Sequence, residues 1–259
     1  MSHLLASLPP WLSALLVVVL PTAIAMTGPL LVRRRYGLER LTTNNEIAGF
    51  KFATVGVIYA VLLAFAVIIV WERFADAEAA VIEEAGAAAT LYRLTPGEEA
   101  PSVALRARLD EYLAAAISKD WAMMAAMRAS PEATRALSEL YGALLVQSQA
   151  AAANVPVLVE SFHQLDLITA ARRTRLHLAH GIVPSMLWMV LITGGTLTIA
   201  FTFFFGTRNL GAQMLMTGVL ALIVSMGLLV IISIDHPFTG PVHVGSEPLQ
   251  KVLEDFGRH

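Results

Sequence analysis

Cysteine is absent from this chain of 259 residues, and charged residues are few. Without cysteine the chain can form no disulfide, no thiolate nucleophile and no Cys-ligated zinc or iron–sulfur centre. Charged residues make up 15% of the chain and hydrophobic residues 56%, with a mean hydropathy of +0.65. Soluble domains carry about 25% charged residues. The composition therefore indicates an integral membrane protein.

Motifs for catalysis and for cofactor binding are also missing. The sequence has no Gly-x-Ser-x-Gly, no His-Glu-x-x-His, no phosphate-binding Gly-x-x-x-x-Gly-Lys and no dinucleotide fingerprint. Its net charge is -2, and its longest basic run is Arg33–Arg35, so the charges give no argument for a nucleic-acid surface. We therefore predict a protein that is not an enzyme, with no cofactor, no metal and no nucleic-acid partner.

The stretch 44–93 organises the chain. Between Ala53 and Trp71 it has no ionisable side chain except the phenol of Tyr59, and as a helix this run covers roughly 28 Å, about one hydrocarbon core. After Trp71 the sequence becomes acidic and alanine-rich, with no proline up to Arg93. Since nothing there terminates a helix, we predict one helix that crosses the membrane and continues into water.

Four apolar segments are long enough to span a bilayer, at about 11–32, 53–71, 181–206 and 210–234. The first is too long for a signal-peptide core and has no Lys or Arg before it, so we interpret it as a span. The links after the first and third spans are short, which predicts two antiparallel hairpins. The predicted fold is all-α.

The region 72–180 between the hairpins is rich in good helix formers and polar enough to lie in water. Ser102 is the predicted N-cap of a helix that reaches about Ala129. Ser130-Pro131-Glu132 predicts the start of the next helix, because proline is favoured at the first helical position. Pro156 is expected to break or kink that helix. We treat residues 1–259 as one membrane domain.

Positive charge predicts the orientation. The link between the first two spans holds five basic residues, and short cytoplasmic links are enriched in Lys and Arg. This predicts that the link is cytoplasmic and that region 72–180 lies outside the cytoplasm, with the protein in the inner (plasma) membrane.

Two motifs carry a family resemblance. Gly49-Phe50-Lys51-Phe52 leads into the apolar run 55–65, Trp71-Glu72 and the acidic helix, and Asp235-His236-Pro237-Phe238-Thr239-Gly240 is followed by Glu247-Pro248-Leu249. Over roughly Asn45 to Leu253 the chain resembles the bestrophin-like family of bacterial membrane proteins, catalogued mainly as a domain of unknown function.

The resemblance implies a likeness to bestrophins, which are pentameric anion channels with four membrane helices per subunit, the second lining the pore. It therefore implies a homo-oligomer in the lipid bilayer that passes small inorganic ions. Bestrophins hold their large helical region in the cytoplasm, opposite to the side that the positive charges predict here.

If the second span lines a pore, one stripe at helical spacing is a candidate wall, with Lys51 at its mouth to favour anions. The stripe consists of Phe52, Gly56, Tyr59, Leu63, Ala66 and Val70. The alternative is that these residues pack against other helices or lipid and that Lys51 reaches the headgroups. No span contains a charged side chain, which counts against a transporter.

Other candidates have simpler interpretations. Thr193–Thr196 suits helix packing more than ion contact, and the acidic residues Glu72, Asp76 and Glu83 suit a solvated face more than a cation site. The pairs His163–Asp166 and His177–His180 have a spacing that could hold a metal, although the pair of Glu-x-x-His motifs typical of a di-iron bundle is absent.

The resemblance also provides a closing motif at the end of the fourth span, namely Asp235, His236, Pro237, Phe238 and Gly240. We expect it to stop the span and anchor the tail, since proline cannot continue a helix. Two functions stay open: an oligomeric ion channel, and a non-conducting sensor or scaffold whose extramembrane helices dock a partner.

Overall fold

The computed structural model describes residues 9–43, 45–149, 154–181, 183–240 and 242–257. It confirms the all-α fold, with four helical segments long and apolar enough to cross a membrane: Trp11–Tyr36, Asn45–Arg93, Ser185–Phe204 and Leu210–Ile234. The pairing of these spans into two hairpins stays a prediction.

The first span is built from α1 (Pro10–Ala14), a π-helical turn (Leu15–Val19) and α2 (Leu20–Tyr36). The wide turn ends two residues before Pro21, which has no N–H to give to the preceding turn. The N–H of Leu20 donates instead to the carbonyl of Leu15. Helix α2 continues past Pro29 to Tyr36, four residues beyond the predicted end of this span.

Helix α3 (Leu38–Thr42) is a short link, and α4 (Asn45–Arg93) is the longest element, with 49 residues. At 1.5 Å per residue α4 is about 74 Å long, more than twice the thickness of a hydrocarbon core. The prediction of one helix that crosses the membrane and extends beyond it without a break is confirmed in length and continuity.

The helical region continues with α5 (Ala100–Ala115), a second π-helical turn (Ala116–Asp120) and the short α6 (Trp121–Met124). Two longer helices follow, α7 (Pro131–Ser148) and α8 (Val155–Leu178). Ser130 caps α7 as predicted, since its hydroxyl accepts from the N–H groups of Glu132 and Ala133.

Two predicted boundaries in this region are wrong. Helix α5 begins at Ala100, with Pro101 in its first turn, so Ser102 lies inside the helix and does not cap it. Proline fits there because the first N–H groups of a helix have no intrahelical partner. The helical path ends at Met124 and not at Ala129, because Met127 has a φ of 56°.

The third span is α9 (Ser185–Phe201) with a 3-10 turn (Thr202–Phe204), and the fourth is α10 (Leu210–Ile234). The third begins four residues later than the predicted Gly181. The cause is local: Gly181 has a φ of 85°, and Pro184 takes the extended conformation that precedes a helix. Helix α11 (Glu247–Phe256) closes the described chain.

The chain divides into two compact units. The first, called the span unit, holds the described residues up to 72, from 183 to 235, and 240 and 242. The second, called the helical unit, holds the described residues from 73 to 181, 236 to 239, and 243 to 257. The assignment of residues 1–259 to one domain stays a prediction.

The helical unit has a core of its own. Side chains from α4, α5, α7, α8 and α11 form it, and the central ones are completely buried: Leu91, Leu105, Leu113, Leu140, Leu144, Leu165, Ile168 and Leu249. Leu145, the neighbour of Leu144, is 52% exposed. A second cluster joins Ala77, Val81, Met124 and Phe238.

Candidate functional site

One face of the second span packs against the chain's own helices. The Tyr59 hydroxyl donates to the carbonyl of Leu191, 3.1 Å away, and the ring lies over Gly194 and Gly195. A Cβ at Gly195 would lie 2.7 Å from the Tyr59 hydroxyl oxygen. The two glycines of the Thr193–Thr196 group therefore leave the space that the Tyr59 ring fills, as the packing interpretation of that group expects.

The remaining residues of the predicted pore stripe lie on this same packed face. Leu63 fits against Gly227 of α10, where a Cβ would come within 2.8 Å of Leu63 Cδ2. The ring of Phe52 stacks on Phe201, with centroids 5.9 Å apart. Ala66 is 1% exposed and Val70 is completely buried.

These contacts favour the packing alternative for the stripe, while the pore wall itself stays a prediction. Of its six residues, Tyr59, Ala66 and Val70 are buried and Phe52, Gly56 and Leu63 are half-buried in the span unit. The three buried side chains leave almost no surface that could contact a water path. The packing interpretation fits these residues, because small residues and aromatic rings fill the space between spans.

The opposite face of α4 is exposed and apolar. Val57, Val61, Phe65 and Ile68 recur at spacings of four, four and three, with exposed fractions of 64%, 49%, 62% and 51%. We call these four residues the open stripe. Successive members lie on one helix face by spacing alone. Lys51 is exposed before the stripe, and Glu72 is exposed after it.

Acidic side chains follow the open stripe along the same helix. Glu72, Asp76 and Glu83 are all exposed, as a solvated face requires. Arg73 reaches Asp76 across an exposed ion pair of 3.6 Å. Within the described ranges, no group of three or more His, Asp or Glu side chains is arranged to hold a metal ion. His163, His177 and His180 are exposed.

A buried ionic cluster lies in the helical unit and was not predicted. Arg175 pairs with Glu84 through two bonds of 2.8 and 3.0 Å, and its second amino group lies 3.3 Å from Asp120. Arg172 pairs with the same Asp120 at 2.8 and 3.2 Å. Two positive and two negative charges therefore balance in a space from which water is excluded.

Neighbouring groups satisfy the remaining hydrogen-bonding capacity of this cluster. The Tyr112 hydroxyl donates to Glu84 over 2.5 Å, and the N–H of Ser130 donates to Asp120 over 2.8 Å. The guanidinium carbon of Arg175 lies 4.4 Å from the centre of the Trp121 ring. Buried charges are tolerated when they are paired and hydrogen-bonded in this way.

Electrostatics keep two members of this cluster, Tyr112 and Arg175, protonated. Burial raises the pKa of Tyr112 well above its usual value, and the nearby Glu84 carboxylate raises it further, so the phenol keeps its proton and donates. Burial alone would lower the pKa of Arg175, but the charge and hydrogen bonds of Glu84, together with Tyr112 and Asp120, outweigh it and raise the pKa. The cluster is therefore a fixed structural centre.

Residues of the closing motif make contacts within each of the two units. In the span unit, Asp235 accepts a hydrogen bond of 2.8 Å from the N–H of Val183. In the helical unit, the carbonyl of Pro237 accepts from Val244, and the Phe238 ring meets Trp121 edge-on with centroids 6.0 Å apart. The ring of His236 lies against Gly181. These contacts fit the expected role of stopping the fourth span and anchoring the tail.

The helical fold and the four long apolar helices together define an all-α integral membrane protein with a further helical region. A family model described as the Bestrophin-like domain matches residues 19–249, which is most of the chain. The chain therefore belongs to the Bestrophin-like family, as the resemblance in its motifs implies. No curated protein matches it.

Solved structures share this fold. A variant of a bacterial Bestrophin homolog from Klebsiella pneumoniae is 14% identical, with a TM-score of 0.73 and coverage of 93% of this chain and 96% of that one. A second variant of that homolog is 19% identical, with a TM-score of 0.65 and coverage of 94% and 95%. At such identities the likeness establishes the fold alone.

Proposed function

We propose that the chain is one subunit of a homo-oligomeric channel for small inorganic ions, with the second span lining the pore. Membership of the Bestrophin-like family supports a channel, because bestrophins are channels. The proposal includes no catalytic step, cofactor, resident metal or nucleic acid. One observation carries it beyond the family: the second span presents an apolar face that its own subunit leaves uncovered.

The pore surface in this proposal is the open stripe and not the face first predicted. The protein's own helices leave the four side chains of the open stripe exposed. Several copies of α4 arranged around an axis would bring their open stripes together. A ring of such side chains forms a hydrophobic constriction, which gates a channel by excluding water. Four spans in one subunit are too few to enclose an ordinary aqueous pore, so the proposal requires an oligomer.

Charges at the two ends of the open stripe would tune ion selectivity. The resemblance implies anions, and exposed Lys51 before the stripe favours them. Glu72 and Asp76 follow the stripe and favour cations. Lys51→Gln is therefore expected to lower the permeability ratio of chloride to potassium, and Glu72→Gln to raise it, as measured by reversal potentials in a salt gradient.

Flux through liposomes tests the channel most simply. Phe65→Ala removes the largest side chain of the open stripe, so ion flux should rise several-fold. Leu197→Ala is the matched control, because Leu197 is a residue of α9 that is also apolar and 63% exposed. Equal flux from both variants would show that Phe65 faces lipid and not ions.

A non-conducting sensor or scaffold is the second candidate. The absence of charge along the open stripe favours a non-conducting protein, because an apolar face can contact lipid and needs no ion path. A monomeric mass in mild detergent, with no flux from the wild type in chloride or potassium gradients, would support this candidate and contradict the channel.

We also propose an orientation from the positive charges, with the Arg33–Lys51 link in the cytoplasm and the helical unit outside it. The Cys-free chain permits a direct test. Arg34→Cys and Glu83→Cys each place a single thiol at an exposed position. Only Glu83→Cys should react with an impermeant maleimide added to intact cells, and the reverse result would place the helical unit in the cytoplasm.

A further inference from the structure

The span unit contains a cavity of about 620 Å³ that neither the fold nor the proposed channel uses. It lies among the first, third and fourth spans. Its lining is mostly apolar and includes Leu16, Trp188, Ile192, Gly195, Ile199 and Leu228. The volume falls within the range of pockets that hold small molecules, about 300–1,000 Å³.

The cavity opens toward the outside of the span bundle. Three of its lining residues, Leu16, Met189 and Ile192, are exposed by 39%, 63% and 42%. All three belong to spans, so the surroundings at this mouth are lipid and not water. The π-helical turn that contains Leu16 widens the first span at this point.

One polar group in the wall is unsatisfied. The indole nitrogen of Trp188 is buried, and no hydrogen-bond partner for it is found within the described residues. An indole N–H can only donate, so an occupant must supply an acceptor to satisfy it. A buried donor without a partner is destabilising, which makes an acceptor in the cavity favourable.

Depth in the membrane identifies that acceptor. Trp188 lies in the first turn of α9, three residues after Ser185, where the boundary between headgroups and hydrocarbon is expected. The ester carbonyls of a phospholipid lie at this boundary. Ser225, another lining residue, is nine residues from the end of α10 at Ile234, about 13–14 Å into the hydrocarbon.

We propose that the cavity binds one phospholipid per subunit. An ester carbonyl of the lipid accepts the hydrogen bond of Trp188 Nε1, and the attached acyl chain fills the apolar space toward Gly195 and Ser225. The hydroxyl of Ser225 can satisfy itself by donating to the carbonyl four residues earlier in its own helix, as serine does in membrane helices. This site does not depend on ion conduction.

A comparison of two lipids tests the proposal on the wild-type protein. The purified, delipidated oligomer is titrated with dioleoyl phosphatidylcholine and with its diether analogue, which lacks the ester carbonyls, and bound lipid is counted by native mass spectrometry. One hydrogen bond contributes about 0.5–1.5 kcal/mol, so the diester should bind about 3- to 10-fold more tightly. Equal affinities would overturn the proposal.

Variants test whether Trp188 donates this hydrogen bond and whether the lipid occupies this cavity. Trp188→Phe keeps the ring and removes the N–H, so the preference for the diester should disappear. Trp11→Phe should leave it unchanged, because Trp11 is 69% exposed on the first span and does not line the cavity. Ser225→Leu should fill the acyl region and weaken both lipids at least 10-fold. Undiminished lipid binding to that variant would mean that the lipid binds elsewhere, and a change only in its oligomeric mass would mean that a second copy of the chain covers the cavity. Either result would refute the lipid site.

Discussion

The guanidinium group of Arg175 lies inside the helical unit. It is completely buried, as is Glu84, and the two are bonded twice. Removing one partner of a buried ion pair leaves an uncompensated charge and typically costs about 3–5 kcal/mol. We therefore expect Arg175→Met to lower the melting temperature of the detergent-solubilised protein sharply, as measured by fluorescence-detected thermal unfolding.

Arg108→Met is the matched control for that measurement. Arg108 also makes two ion pairs, with Glu111 and Glu139, but its side chain is 44% exposed. Exposed pairs contribute about 0–1 kcal/mol, so this variant should unfold close to the wild type. Similar melting temperatures for the two variants would show that the buried cluster does not stabilise the helical unit.

Asp110 is a carboxylate in an unfavourable place. One of its oxygens is buried without a hydrogen-bond partner among the described residues, and burial raises its pKa, although Arg106 opposes the shift. A raised pKa means that the stability due to this group is present at acid pH and is lost as pH rises through the folded value. Asp110→Asn should therefore raise the melting temperature at pH 7.

The gain from Asp110→Asn should shrink as pH falls toward 4, because the wild-type carboxyl then takes up its proton. Melting curves of both proteins across this pH range measure the effect. Glu98→Gln is the control: Glu98 is exposed, so its neutralisation should change little at either pH. A constant gain across the range would rule out the titration of Asp110 as its cause.

At the scale of elements, two glycines differ in the room that they leave for a Cβ. Gly142 lies within α7, with no atom within 4 Å of where a Cβ would be, so Gly142→Ala should stabilise the protein by up to about 1 kcal/mol. Gly206 follows the third span, and a Cβ there would lie 2.7 Å from backbone atoms of Leu41 and Thr42. Gly206→Ala should therefore lower the melting temperature, and a gain from it would contradict the packing of this loop.

Helix existence could be predicted from the sequence better than helix ends. The unbroken α4 follows from a run without proline, and the start of α7 follows from Ser130-Pro131, because both signals are local. The start of α5 at Ala100 escaped prediction because Pro101 suits a first helical turn as well as it suits a loop. Span ends were misplaced by up to four residues in both directions, since apolar composition does not mark helix ends: the first span's helix continues through charged residues to Tyr36, and the third begins after the apolar run does.

At the scale of the whole molecule, composition predicted the four spans, but it could not choose the face of α4 that packs. The packed and open faces are both apolar, so periodicity carries no preference between them. The buried cluster did leave a signal. Glu84 lies at the spacing of the buried residues Val81 and Ala88, and Arg175 at that of Ile168 and Leu178. A charge within an apolar face requires a partner.

The central claim is that the open stripe lines an ion path while the packed face does not. Phe65 lies on the open face and is 62% exposed, while its neighbour Ala66 lies on the packed face and is 1% exposed. Because the chain has no cysteine, a Cys substitution at either position introduces a single thiol. In planar bilayers, a charged, water-soluble thiol reagent should block the current of Phe65→Cys within minutes and leave that of Ala66→Cys unchanged. If neither current responds, or if Ala66→Cys alone is blocked, the open stripe does not line the ion path.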